Sequence, residues 1–195
     1  MIHPDTELRY INPSIGYGVV AKKLIPAGTI TWVMDAFDIE LPPEKLDSLS
    51  AAYKAKIDKY AFRNRVGNYI ICWDHGKYIN HSFDSNCLTT AYDFEIAIRD
   101  IFPGEQLTDD YGYLNINTPF YAFDEGLDRK VVYPDDLLRY YEDWDKTLGR
   151  TFFLIEKVNQ PLKKYFEKES WQEIQLVLEG RKHMKSILTN YFPQL

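Results

Sequence analysis

Cysteine is scarce in this sequence of 195 residues, where Cys72 and Cys87 are the two that occur. Two thiols cannot make a framework of bridges, and both are expected to stay reduced. They also fall short of a structural zinc site unless histidines complete it, and there is neither a Cys-x-x-Cys nor a histidine pair at ligand spacing. No metal is expected. Long hydrophobic runs are missing as well, and no stretch approaches the roughly 20 apolar residues of a membrane span. The first residues, MIHPDTELRY, hold no apolar signal region. A protein that stays where it is made is expected: intracellular, in the cytoplasm, with the nucleus open to it in a eukaryote. Nor is there an excess of positive charge. The net charge is −6, whereas phosphate binding needs a basic face, so nucleic acid is not expected as a direct partner.

What is present suffices for a folded core. Hydrophobic residues make up 45% of the chain, which argues against disorder, and the length fits one domain with an appended subdomain. Residues 1–115 carry 11 Lys/Arg against 16 Asp/Glu, and residues 116–195 carry 12 against 13. The acid excess therefore lies in the first part, where it would favour a basic peptide, although ordinary solubility charge explains it equally well.

The chemistry concentrates between Tyr78 and Gly112. Asn80-His81-Ser82 opens this stretch, Asn86-Cys87 closes the first cluster, and Glu105-Gln106-Leu107-Thr108-Asp109-Asp110-Tyr111-Gly112 ends it. Between them Phe94, Ile96 and Ile98 alternate with Glu95, Ala97 and Arg99, the period of a half-buried strand, before a turn at Pro103-Gly104. Two polar clusters one strand and one turn apart can reach one site. Short polar side chains that bond their own backbone in loops would also produce such runs. Upstream, residues 8–33 read as short strands broken by turns, with Gly16-Tyr17-Gly18 ahead of Val19-Val20-Ala21. A lone Gly-x-Gly commonly marks no more than a turn. Residues 42–62 read as a helix with Leu46, Leu49, Tyr53 and Ile57 on one face. Beyond an aromatic loop at Phe120–Phe123, Pro134-Asp135-Asp136 opens a helix that aligns Leu137, Tyr141, Trp144 and Leu148. A further helical run to about Glu169 should bend near Pro161. Ser170-Trp171-Gln172-Glu173 then has the form of a capping box, followed by Ile174, Val177, Met184 and Leu188 on one side.

Together the two clusters resemble the third and fourth motifs of SET-domain methyltransferases, and Gly16-Tyr17-Gly18 resembles the first. The resemblance covers roughly residues 8–115. It implies an α+β fold: a mostly-β SET domain of small curved sheets (residues 1–115, helical insert 42–62) whose Asn80 segment threads beneath that of Tyr111 in a pseudoknot. Residues 116–195 would add the aromatic loop and a helical C-terminal extension. It further implies transfer of a methyl group from S-adenosyl-L-methionine to a lysine of a basic protein, such as a histone or another lysine-rich protein. Tyr111 would be the catalytic residue. Gly16, Tyr17, Gly18, Tyr78, Asn80, His81, Tyr111 and Phe120 would hold the cofactor. A non-catalytic SET module that grips peptides is the alternative. A lysine attacks only when neutral, and its free pKa is near 10.4; a neighbouring sulfonium and an apolar channel both favour the neutral amine. No strong base is then required, and His81 is as well explained as a structural hydrogen-bonder.

The sequence departs from the family pattern at several places, of which Ser85, in a loop, should matter little. Phe83 stands where zinc-binding members have cysteine, and residues 113–133 hold no cysteine. Something else must then close the pocket, and the Phe120–Phe123 aromatics are the expected substitute, though aromatics there also suit plain core packing. Ser85 replaces a usual proline. Thr89 lies where some members supply a channel tyrosine, which leaves the degree of methylation open.

Overall fold

Asn12 makes the turn of the first hairpin. Its Oδ1 accepts from the N–H groups of Ser14 and Ile15, both at 2.9 Å, and Gly16 follows at φ +83°, a conformation that side chains rarely adopt. The turn joins β1 (Thr6–Asn12) to β2 (Gly16–Ala21) as an antiparallel hairpin with Tyr10 opposite Tyr17. The computed structural model describes residues 1–193. β3 (Ile30–Val33) follows, then β4 (Ile39–Leu41), the short helices α1 (Pro43–Leu46) and α2 (Ala51–Tyr60), β5 (Ala61–Arg63) and β6 (Tyr69–Ile71). β4, β6 and β5 form one antiparallel sheet with β6 central.

The single helix expected over 42–62 is in fact two, separated at residues 47–50. The Ser48 hydroxyl donates back to the Lys45 carbonyl at 2.8 Å, and Ser50 is extended at ψ 157°. Serine competing for backbone in this way ends helices. Of the four residues assigned to one apolar face, Ile57 is buried and Tyr53 is 66% exposed.

The centre is the sheet of β3, β9 (Phe94–Ala97) and β8 (Cys87–Thr89), with β9 in the middle. All four residues of β9 are buried, so it is not the half-exposed strand that its alternation suggests. Both faces of the sheet are covered. Ile30, Leu88, Phe94 and Ile96 pack against Leu137, Phe152, Ile155 and Ile174 of the C-terminal segment. Trp32, Cys87 and Ala97 pack against Val19, Ile25 and Leu107 on the other side. Cys72 and Cys87 are free and buried, and burial pushes both thiols well above their ordinary range.

The C-terminal part begins with a small hairpin of β11 (Phe120–Tyr121) and β12 (Val131–Val132), after the two-residue strands β7 (Asn80–His81) and β10 (Thr108–Asp109). α3 (Asp136–Thr151) buries Leu137 and Leu148 and packs Tyr141 and Trp144, as its spacing predicts. Two 3-10 turns, Phe152–Lys157 and Lys163–Tyr165, flank the bend around Pro161. Within that bend Gln160 accepts from Ile30 N–H at 2.9 Å and donates to the Gly28 carbonyl at 2.7 Å, which clamps the start of β3. α4 (Lys168–Leu178) starts ahead of Ser170, with Glu167 at its cap position, so the capping box is not formed. It also stops before Met184 and Leu188. Counted whole, the described chain is 32% helical and 23% strand, so α+β fits it, and "mostly-β" fits the strand-built part before Tyr111.

Asn86 fastens the two polar clusters together. It is 1% exposed. Its Nδ2 donates to the Gln106 carbonyl at 2.7 Å, and its Oδ1 accepts from Thr108 N–H at 2.9 Å. Asn86→Ala strands both backbone groups in a dry place and should cost about 2 kcal/mol of unfolding free energy. Chemical denaturation measures this, and a change within a few tenths would mean that water reaches the gap.

Candidate functional site

β7 and β10 are parallel neighbours, with Asn80 opposite Thr108 and His81 opposite Asp109. The two clusters thus lie side by side, 28 residues apart in the register pairs shown. After β10 the chain makes one 3-10 turn, Tyr111–Tyr113, because Asp110 caps it by accepting from Gly112 N–H at 2.9 Å. Tyr111 is tied at both ends to the neighbouring segment. Its N–H donates to His81 Nδ1 at 3.2 Å, and its hydroxyl donates to the Ile79 carbonyl at 2.9 Å. Burial and then the Asp109 carboxylate push its phenol above the ordinary tyrosine value. Tyr111 is therefore a neutral, oriented hydroxyl at any physiological pH.

The same contacts define His81. Because Nδ1 accepts, the ring hydrogen sits on Nε2, and Nε2 is buried without a partner. Burial, with Arg129 nearby, lowers its pKa to about 4. A histidine so held is a neutral donor, not a base. An unfolded chain protonates His81 below its ordinary 6.5, and the folded chain does so only near 4. Acidification through that window favours unfolding by about 3 kcal/mol. Asp109 works the other way: burial raises it from 3.8 to about 6, so the folded state takes up its proton first and gains as pH falls through that range. In the wild type the two offset each other. His81→Gln should therefore gain stability relative to wild type by about 3 kcal/mol between about pH 7.5 and about pH 4, as read by denaturation at each pH. A constant difference would show that His81 is not held neutral.

Asn80 meets the glycine motif. Its Nδ2 donates to the Tyr17 carbonyl at 3.2 Å and to Gln106 Oε1 at 3.0 Å. Gly18 is required there, since a Cβ would come within 2.4 Å of Gln106 Oε1 and 2.7 Å of Asn80 Nδ2. Ring packing joins the rest. Phe120 lies 5.4 Å from both His81 and Tyr111 between centroids. Tyr78 packs between Tyr17 and Tyr60, at 6.3 and 5.3 Å.

Asn80, His81, Tyr111 and Phe120 all line one cavity of about 710 Å³. Tyr17, Gly18 and Tyr78 lie near Asn80, Gly16 sits at the hairpin turn opposite Asn12, and none of the four is among the residues of the cavity wall. Of the aromatic loop, Phe120 turns onto His81 and Tyr111, while Tyr121 and Phe123 are 77% and 61% exposed. A second cavity of about 330 Å³ adjoins the first, and Trp32, Phe62, Arg63, Glu95 and Leu114 line both.

Several site residues escape a reading of the sequence. Phe83, which stands in the zinc-ligand position, instead packs edge-on to His81 at 4.3 Å and lies under the Arg129 guanidinium at 4.6 Å. Arg129 forks between Asp110, beside Tyr111, and Asp136, at the start of α3. Glu125 accepts from the Ser82 hydroxyl at 3.1 Å and from Phe83 N–H at 3.0 Å. The segment after Tyr111 is thus fastened by an arginine fork and a carboxylate. Among the described residues no group of three or more His, Cys, Asp or Glu is placed to hold a metal ion. No helix among them is long and apolar enough to cross a membrane. Finally, Glu95 and Asp109 form a buried carboxyl pair beside Tyr113, whose hydroxyl donates to Asp109 at 2.8 Å. Only the sequence position of these residues was legible beforehand; their inward direction was not.

No curated protein matches this chain. The SET domain family model, however, matches residues 16–112, a span that runs from the first glycine of β2 to the residue after Tyr111. The chain therefore belongs to the SET-domain family.

Proposed function

We propose that this chain is an S-adenosylmethionine-dependent protein-lysine methyltransferase. The observation that carries the reading is Tyr111: a neutral hydroxyl, oriented by the Ile79 carbonyl, on the wall of a cavity shared with Asn80, His81 and Phe120. The parallel pairing of β7 with β10 supports the threaded arrangement expected for these segments. The residues present suit the cofactor. The Cβ-free edge at Gly18 leaves Asn80 room beside β2, the unpartnered His81 Nε2–H offers a donor to a polar ligand, and Phe120 supplies an aromatic wall. When bound, the cofactor would supply an electrophilic methyl group on a sulfonium.

The protein's own contribution is positioning and exclusion of water. Tyr111 orients the acceptor amine and directs its dipole at the transferring carbon. Phe120, with Phe83 and His81, keeps the region dry and so favours a neutral amine. No imidazole base takes part, since His81 is neutral and its Nδ1 is already used by Tyr111 N–H. The substrate is a basic protein, for which the acid excess of residues 1–115 gives favourable long-range attraction.

Calorimetric titration with S-adenosylmethionine, followed by labelled-methyl incorporation into lysine-rich proteins, tests the proposal. Binding with transfer is the expected result. Binding without transfer to any lysine-bearing protein would favour the non-catalytic module, and no binding would end the reading.

A further inference from the structure

Gly18 is a glycine that no turn explains. It lies inside β2 and, unlike Gly16, is not in the left-handed region. What requires it is space, because a Cβ would come within 2.4 Å of Gln106 Oε1 and 2.7 Å of Asn80 Nδ2. The room kept there is filled by the contact of those two amides, in which Asn80 Nδ2 donates to Gln106 Oε1 at 3.0 Å. The backbone of Gln106 is held on two sides: it bridges to Val20 of β2, and its carbonyl accepts from Asn86 Nδ2 at 2.7 Å. Its side chain thus crosses Gly18 to reach Asn80.

The sense of both amides follows from the Tyr17 carbonyl, which can only accept. It takes one N–H of Asn80 at 3.2 Å. The Asn80 nitrogen therefore faces β2, and Gln106 must present its oxygen to the other N–H. Both hydrogens of Nδ2 are then committed to residues outside the cavity wall, whereas Asn80 itself lines the cavity. Neither bond uses Oδ1, and that oxygen is not one of the buried side-chain atoms left without a partner. It is the part of the amide that remains for the cavity.

We infer that Gln106 is a positioning residue: it fixes Asn80 as an acceptor toward the cavity, so that the ligand group met there is an N–H donor. The identity of that ligand rests on the methyltransferase reading. S-adenosylmethionine ends in an amino acid, whose ammonium offers donors and no acceptor. The carboxylate on the same carbon offers acceptors alone and finds nothing to bond at Oδ1. A single bond to the Tyr17 carbonyl leaves the Asn80 amide free to turn about its terminal torsion. The second bond, to Gln106, sets its plane. Gln106 is not on the cavity wall, and its contribution is carried through Asn80.

The test titrates the full chain, by calorimetry, with S-adenosylhomocysteine and with its deaminated analogue, in which hydrogen replaces the ammonium. Gln106→Met keeps the length of the side chain and removes the acceptor, whereas Gln106→Glu keeps an acceptor oxygen. Wild type and Gln106→Glu should both prefer the ammonium-bearing ligand by about tenfold or more. Gln106→Met should lose most of that preference, by binding the ammonium-bearing ligand about tenfold more weakly and the analogue as wild type does. A residue that merely supports β2 would weaken both ligands alike. Should Gln106→Met fail to fold, as judged by its melting curve, Gln106→Leu serves instead. A second readout needs no ligand: by NMR, the Asn80 side-chain amide hydrogens should exchange with solvent about tenfold faster in Gln106→Met than in wild type or Gln106→Glu. Equal weakening of both ligands, no preference in wild type, or one exchange rate in all three proteins would each overturn the inference. If wild type binds neither ligand, the transferase reading falls and the exchange rates decide the positioning. If it binds both and Gln106→Met changes nothing, the positioning falls alone.

Discussion

Tyr111→Phe should lower turnover by about a hundredfold or more while leaving affinity for S-adenosylmethionine nearly unchanged. The substitution deletes one oxygen and keeps the ring, so the packing against His81 at 5.2 Å and Phe120 at 5.4 Å survives. The N–H bond to His81 Nδ1 belongs to the backbone and also survives. What disappears is the donor held toward the Ile79 carbonyl, and with it the dipole that distinguishes the transition state from bound reactants. The measurement is single-turnover methyl transfer alongside calorimetric cofactor binding. A variant that turns over at the wild-type rate would remove Tyr111 from the chemistry, and one that loses binding and turnover together would make it a structural anchor.

Arg129→Ala is expected to be the most destabilising single change, at about 4 kcal/mol. The guanidinium is 18% exposed and bridges Asp110 and Asp136, whose side chains are 4% and 1% exposed. It also stacks on Phe83 and on Tyr140, at 4.6 and 4.4 Å. Removal leaves two buried carboxylates facing each other across an empty space. The direction with pH follows. Burial already raises Asp110, while Arg129 holds it down. Without the arginine the folded state binds that proton more readily than the unfolded chain, so the variant regains stability as pH falls and its deficit is largest in alkali. Denaturation at several pH values checks this. The His81 pKa offers a second readout by NMR, because Arg129 contributes to lowering it; in Arg129→Ala it should rise from about 4. A deficit that does not vary with pH would mean that the two aspartates reach water.

The site was legible where its chemistry lies in short polar runs beside turns. Asn80, His81 and Tyr111 could be singled out because few alternatives explain two such clusters one strand apart, and the structure sets them on one cavity wall. The alternation around Phe94 located β9 but misassigned Glu95. Period two says which residues share a face, not whether the other face meets water, and here α3 and α4 cover one face while β2 and its neighbours cover the other. The helix from residue 42 failed for a related reason: four apolar residues at helical spacing do not reveal two serines that end the turn between them. Arg129 left no local signal at all. Its partners lie 19 and 7 residues away, and such a fork exists only once the chain has folded. The α4 start was misplaced because Ser170 and Glu173 have cap spacing, while Glu167 already occupies the cap position.

The reach of Gln160 back to Gly28 and Ile30 has a consequence for how the molecule comes into being. The segments that hold Asn80 and Tyr111 are made before the residues that cover the sheet behind them. Contacts separated by about 130 positions make assembly slow, and they leave the growing chain with an uncovered apolar sheet while the helices are still being translated. A nascent chain halted near residue 115 would carry every motif residue and still present one face of its central sheet to solvent. Competence in this protein therefore waits on the helices that close over the central sheet.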